Sequence, residues 1–158
     1  MLLIGGNMIQ KINTNRKELS IPGEIVTKND DIKNIVQDLK DTLASKRGWG
    51  ISATQIFINK KISYIKLPPS LSNNKEGWVL INGVITVKSD PIKITEGCLS
   101  FPGISVITKR HNFIAVEYLD EKLEQKTAIF QNYEASAVAH ELDHQSGILF
   151  FGRKWVSK

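Results

Sequence analysis

Two of the chain's three histidines stand four residues apart, with a glutamate after the first: His140, Glu141, Leu142, Asp143, His144. On an α-helix, residues four apart lie on one face, one turn above the other, so both imidazoles can point at a single ion. Glu141 sits where its carboxylate can reach a water on that ion, the arrangement of a metal-dependent hydrolase. The competing reading is two satisfied or exposed histidines. Burial weighs against it, because two buried imidazoles need partners. A catalytic site of this kind also needs a third protein ligand and an open position. The tail after His144, QSGILFFGRKWVSK, contains no His, Glu, Asp or Cys, so that ligand must lie upstream. His111 is one candidate, but it stands in the basic stretch KRHN between two strand-like segments. Carboxylates are numerous and do not discriminate. Cys98, in EGCLS, is the sharpest candidate, since a thiolate binds borderline divalent metals well. An isolated cysteine is more often a buried small hydrophobe, so its neighbours have to decide.

The elements that would hold these residues can be read from periodicity. NYEASAVAHELDHQSG reads as a helix with small or apolar residues on nearly every side, hence buried. Asn132 is expected to cap it, Glu134 suits its positive end, and Gly147 is placed to stop it. DDIKNIVQDLKDTLASKRG reads as an N-terminal amphipathic helix with Ile32, Ile35, Val36, Leu39 and Leu43 on one face. Asn29 or Asp30 is expected at its start and Gly48 at its end. Between the helices, KISYIKL, WVLINGVITV, PIKITEG, ISVITKR, FIAVEYLD and QKTAIF are short, rich in β-branched and aromatic residues, and punctuated by Gly, Pro, Asn and Asp. They read as strands, with LDEKLEQ as a hairpin connection. The expected fold is α+β: antiparallel strands packed around a central metal-binding helix, as one domain over residues 1–158.

Composition bounds the function. Hydrophobic residues make up 41% of the 158 and charged residues 23%, which allows a core without disulfides. A single cysteine fits a reducing, cytoplasmic setting. The start, MLLIGGN, lacks a basic leader, and no apolar run approaches the ~20 residues of a membrane span. The net charge of +5 comes from scattered lysines and arginines rather than one stripe, so dedicated nucleic-acid binding is not expected.

Three segments taken together carry a resemblance: GWGISATQ at residues 48–55, EGCLS at 96–100 and HELDH at 140–144. In this order and spacing the chain resembles peptide deformylase, from about Asp30 to Arg153. FPG at 101–103 and SGILFFGR near the end also fit. The resemblance implies that Cys98, His140 and His144 hold a divalent ion, with ferrous iron native and zinc, nickel or cobalt able to replace it. Glu141 would be the general acid/base, and Gln55 and the Leu99 N–H would receive charge on an oxyanion. Gly50 and Gly97 would pair with an extended substrate backbone. An ion pair between Glu96 and Arg110 would brace the metal loop. The implied reaction removes the formyl group from the N-terminal formylmethionine of new proteins, so the partners would be nascent peptides, near the ribosome, met by a monomer. A metal lowers the pKa of a bound water toward ~7, oxyanion donors stabilise developing charge, and Glu141 would carry the proton to the leaving amine.

Counting back along the helix from His140, Ala137, Ser136 and Tyr133 share its face, so they are expected to line a methionine pocket closed by Ile94 or Trp49. Several residues depart from the family pattern. Ser52 stands where alanine is usual, Phe57 where glycine is, Gly83 where proline is, and Ala139 where glutamine is. Trp49 is bulky for its place between two glycines, and reads equally as a core aromatic. Only a short tail follows His144, as in shortened phage-encoded members, which would act in a host cytoplasm. Two other classes stay open on the residues alone: a zinc peptidase of another kind, and a non-catalytic metal- or peptide-binding relative.

Overall fold

The computed structural model describes residues 8–157. Its helices are α1 (Arg16–Leu19), α2 (Ile32–Ala44) and α3 (Asn132–Gln145). Its strands are β1 (Gly50–Ser52), β2 (Ile62–Ile65), β3 (Trp78–Lys88), β4 (Pro91–Glu96), β5 (Val106–His111), β6 (Phe113–Leu119) and β7 (Gln125–Gln131). A 3-10 turn, Ala53–Ile56, follows β1, and another, Phe150–Arg153, lies near the end. Five strands form one antiparallel sheet in the order β1-β2-β3-β6-β7, and β4 and β5 form a separate antiparallel pair. The fold is therefore mixed α/β with antiparallel sheets. Among the described residues, no helix is long and apolar enough to cross a membrane.

Alternation along the strands decides which helix lies on which side. Leu80 and Ile81 are consecutive in β3 and fully buried, so they point to opposite faces. Leu80 packs with Ile114, Val116, Phe130 and the α3 residues Ala135, Val138 and Leu142. Ile81 packs with Ile62, Ile51 and the α2 residues Val36, Leu39 and Leu43. The larger sheet is thus sandwiched, with α3 on one face and α2 on the other. Ser63 sits between Ile62 and Tyr64 in sequence, and so faces α3 rather than α2.

Two expected caps are corrected. Asp31, not Asn29 or Asp30, caps α2, accepting from the Asn34 N–H. Asp30 is occupied elsewhere: it accepts from Thr27 N–H at 2.8 Å and pairs with Lys60 at 3.0 Å. Asn132 does not cap α3 but begins it, at φ 55°, and its N–H reaches back to Asn112 O at 2.8 Å. Gln131 holds the cap position without a side-chain bond. At the other end Gly147 has φ 70°, and a Cβ there would meet Ser20 O at 2.6 Å, so the helix ends where only glycine fits.

Candidate metal centre

α3 is an unusual helix in that its buried residues include Ser136, His140, Glu141, Asp143, His144 and Gln145. Each buried polar group must find a partner or cost free energy, and the partners come from almost every neighbouring element. His140 Nδ1 lies 2.6 Å from Glu96 Oε1 at the end of β4. An ionised carboxylate can only accept, so Nδ1 carries a proton and Nε2 is the nitrogen left to face an ion. Glu96 in turn receives Arg110 of β5 at two points, Nε at 2.6 Å and Nη2 at 3.0 Å, and the Thr108 hydroxyl. Arg110 Nη1 continues to Asp143 Oδ2 at 2.6 Å, and Arg153 closes on the same carboxylate at 2.8 and 3.0 Å.

These bonds set the local electrostatics. Burial opposes ionisation of Glu96, but hydrogen bonds from His140 and Arg110 outweigh it and hold the carboxyl at about 2. Burial likewise opposes charge on His140, yet Cys98, Glu96 and the Glu141 charge push it up to about 10, so an ion bound at Nε2 would displace that nitrogen's proton. His144 goes the other way: burial, with His140 and Arg110 nearby, holds it well below the usual histidine range. Burial raises the Glu141 carboxyl against the pull of His140 and of the Ser52 hydroxyl.

Cys98, in the loop after β4, completes the cluster. Its Sγ lies 3.4 Å from His144 Nε2. The Cys98, His140 and His144 donor atoms all fall within 4.8 Å of one another, close enough for one ion with bonds of ~2.0–2.3 Å. One thiol and two imidazoles suit a borderline divalent metal. His111 is not part of this cluster; its Nδ1 lies 2.6 Å from Ser89 O at the far end of β5.

Beside the donors lie the other residues singled out by sequence. Gln55 is almost fully buried in the turn after β1, with Nε2 3.1 Å from Ser100 Oγ and 3.7 Å from Cys98 Sγ. Gly50 lies so close to Glu141 that a Cβ would meet its Oε1 at 2.8 Å, whereas a Cβ on Gly97 would meet nothing within 4 Å. A cleft of about 1590 Å³ opens over the cluster, lined by Trp49, Gly50, Ile94, Glu96, Gly97, Cys98, Leu99, Tyr133, Ser136, Ala137, His140 and Glu141. Trp49 and Tyr133, both partly exposed, meet edge to face at 5.8 Å on its wall. Among the described residues, Ser136 Oγ and His144 Nδ1 are buried without a hydrogen-bond partner.

Sequence reasoning missed Asp143, Arg153, Ser63, Ser100 and Gln145, and treated Ser52 only as a departure. One signal was available for Asp143 and Gln145: both lie on a helix read as buried, so each had to have partners.

A family model described as polypeptide deformylase matches residues 9–156. Peptide deformylase 2 of Clostridium perfringens is 36% identical over 78% of this chain and 77% of its own length. The peptide deformylase of Brachyspira hyodysenteriae is 30% identical over 97% of this chain and 79% of its own. Among solved structures, peptide deformylase from Thermotoga maritima superposes with a TM-score of 0.84 at 25% identity, covering 94% of this chain and 99% of that one. The Met-Ala-Ser-bound class I type b peptide deformylase from Acinetobacter baumannii does so with the same score, identity and coverage.

Proposed function

The chain belongs to the polypeptide deformylase family, and from that premise we propose how its residues take the formyl group off the N-terminal methionine of newly made proteins. One observation carries the reading: three side chains able to ligate a metal converge beside a cleft, with Glu141 and Gln55 next to them. The family is metal-dependent. Cys98, His140 and His144 would hold the ion, and ferrous iron is the native candidate, with zinc, nickel or cobalt as substitutes. The ion, when bound, acidifies a water and polarises a carbonyl.

The remaining steps belong to the chain. Glu141 faces the cleft with a carboxyl raised by burial, so it can take a proton from water and return it to the leaving amine. Gln55 Nε2 and the Leu99 N–H would donate to the formyl oxygen as charge develops. β1 is an edge strand of the larger sheet, and Gly97 follows β4 of the smaller one. An extended peptide could add between them, pairing with Gly50 and Gly97. The methionine side chain would lie against Tyr133, Ser136 and Ala137, with Ile94 and Trp49 beside it. The formyl carbon carries only hydrogen, so a tight cavity there admits formyl and excludes larger acyl groups.

The test compares turnover of formyl-Met-Ala, acetyl-Met-Ala and unblocked Met-Ala. Only the first is expected to react. Cleavage of the unblocked peptide would instead make the protein a peptidase, and no turnover by the metal-loaded protein would make it a binding relative. Cys98→Ala is expected to lose most bound metal, while Glu141→Ala keeps the metal and loses turnover. Full metal content in Cys98→Ala would overturn the ligand set.

A further inference from the structure

Ser52 ends β1 and is fully buried. Its backbone N–H donates to Gln55 Oε1 at 2.9 Å, which turns the Gln55 amide nitrogen toward Ser100 and Cys98. Its Oγ has three neighbours: Ser63 Oγ at 2.7 Å, Glu141 Oε2 at 2.8 Å and the Glu141 carbonyl at 3.1 Å. A hydroxyl has one proton to give, so the direction of donation has to be worked out from the far end of the chain.

Gln145, on α3, fixes that end. Its Oε1 accepts from the Gly83 N–H at 3.2 Å, and its Nε2 donates to Leu80 O and to Ser63 Oγ, each at 2.9 Å. Ser63, already an acceptor, is left with its own proton, and Ser52 Oγ at 2.7 Å is a nearer acceptor than the Glu141 carbonyl at 3.4 Å. Ser52 then accepts from Ser63 and has its proton free for Glu141 Oε2. The donors run in one direction, Gln145 to Ser63 to Ser52 to the carboxylate, an order in which each bond polarises the next. On the opposite side the carboxylate is limited by Gly50, which leaves room for it only because it has no Cβ.

We infer that Ser52 is a positioning residue for the reaction: its hydroxyl, at the end of the Gln145–Ser63–Ser52 chain, fixes the Glu141 carboxylate facing the cleft while its N–H sets the Gln55 amide. This rests on the deformylase reading above. The two groups proposed to move the proton and to receive the oxyanion are thereby referred to one backbone position, so their separation is held by β1 rather than by two independent side chains.

Ser52→Ala removes the hydroxyl and keeps the N–H, so the bond to Gln55 Oε1 stays while Glu141 loses its anchor and Ser63 its nearer acceptor. Thr54→Val is the matched control: it deletes a hydroxyl in the same turn that is buried without a partner. Steady-state kinetics on formyl-Met-Ala, with metal content and Tm measured alongside, give the readout. Ser52→Ala is expected to lower kcat about tenfold, the worth of one hydrogen bond to a charged group, with KM within about twofold and metal content unchanged. Thr54→Val is expected to keep the wild-type kcat. In a Glu141→Asp background, whose shorter side chain cannot reach position 52, Ser52→Ala is expected to cost less than about twofold more. Wild-type kcat in Ser52→Ala, an equal loss in Thr54→Val, or an undiminished loss in the Glu141→Asp background would each overturn the assignment while leaving the reaction standing. Absence of turnover by the wild type would overturn the reaction and this role with it.

Discussion

Gly50→Ala separates positioning from folding at the proposed site. Gly50 is not among the residues with positive φ, so alanine fits its backbone without strain. The added methyl would lie 2.7 Å from Glu141 Cγ, 2.8 Å from Oε1 and 2.9 Å from Cδ, against an ordinary contact beginning at 3.4 Å. The carboxylate must therefore retreat by roughly 0.6 Å, through the repulsive wall that limits all non-bonded approach. What moves is the end of a flexible side chain, so the fold loses little, and the smaller entropy of the unfolded alanine chain offsets part of that. Catalysis has no such slack. A misplacement near 1 Å costs on the order of a hundredfold, so kcat is expected to fall about tenfold to a hundredfold, or about 1.4–2.7 kcal/mol of barrier. Metal content should hold, since Glu141 is not among the proposed ligands, and Tm should stay within about 3 °C. Steady-state kinetics with formyl-Met-Ala, metal analysis and thermal unfolding on one preparation decide it. An unchanged kcat, or a loss that tracks lost metal, would refute the reasoning. A rise in KM alone would mean that Gly50 makes room for substrate rather than for Glu141.

Three further expectations rest on separate contacts. Phe57 sits at φ 64° and is 56% exposed, so Phe57→Gly should remove left-handed strain at little cost in burial and stabilise the protein by about 1 kcal/mol, a Tm rise of about 3 °C; a lower Tm would refute this. Arg110→Met takes two hydrogen bonds from Glu96 and one of two arginines from Asp143 in a buried setting, and should destabilise by about 3–5 kcal/mol in chemical denaturation; a change under about 1 kcal/mol would show that the remaining partners and water suffice. Ser136→Ile fills the cleft at a buried hydroxyl without a partner and should raise preference for formyl-Met over formyl-Phe peptides, a wider pocket being less selective between them; an unchanged ratio removes Ser136 from the pocket.

The parts of the site legible in sequence are those set by short spacings. The four-residue interval between His140 and His144 is a property of any helix, and the β-branched runs at 78–88, 106–111 and 113–119 carry their strands with them. β1 was not legible because Gly50, Ile51 and Ser52 are too few to show a period. The cap of α2 is ambiguous for a related reason: several Asn and Asp residues precede the helix, and a local turn bond from Thr27 together with a tertiary ion pair to Lys60, the latter invisible in sequence, takes Asp30 out of contention. Arg153 could not be assigned at all, since its partner Asp143 is reached by a turn that only the folded tail makes. Phe57 stands where glycine is usual, and its left-handed φ supplies the physical reason why glycine would suit the place.

The position of the centre follows from how α3 is held. Along one side of the helix, His140 and Asp143 engage Glu96 and Arg110, which belong to the small β4–β5 sheet. Along the other, Glu141 and Gln145 engage Ser52, Ser63 and Leu80, which belong to the large sheet. The two sheets share no strand, and residues 89–90 and 112 join them along the chain, so these polar bonds through α3 add to those short links in setting their relative placement. The cleft is lined by Gly50 of β1 and by β4 with the loop after it, and the side chains that bridge the two sheets through α3 include the proposed ligand His140 and the Glu141 carboxylate. A buried polar bond contributes little net stability when satisfied and costs much more when broken on one side. Building the junction this way therefore makes the geometry of the site depend sharply on a complete set of partners. Removing Arg110 should loosen His140 through Glu96 as well as the sheet it stands on, whereas removing Ser52's hydroxyl, on the far side of the helix, should reach Glu141 and leave the proposed ligands alone.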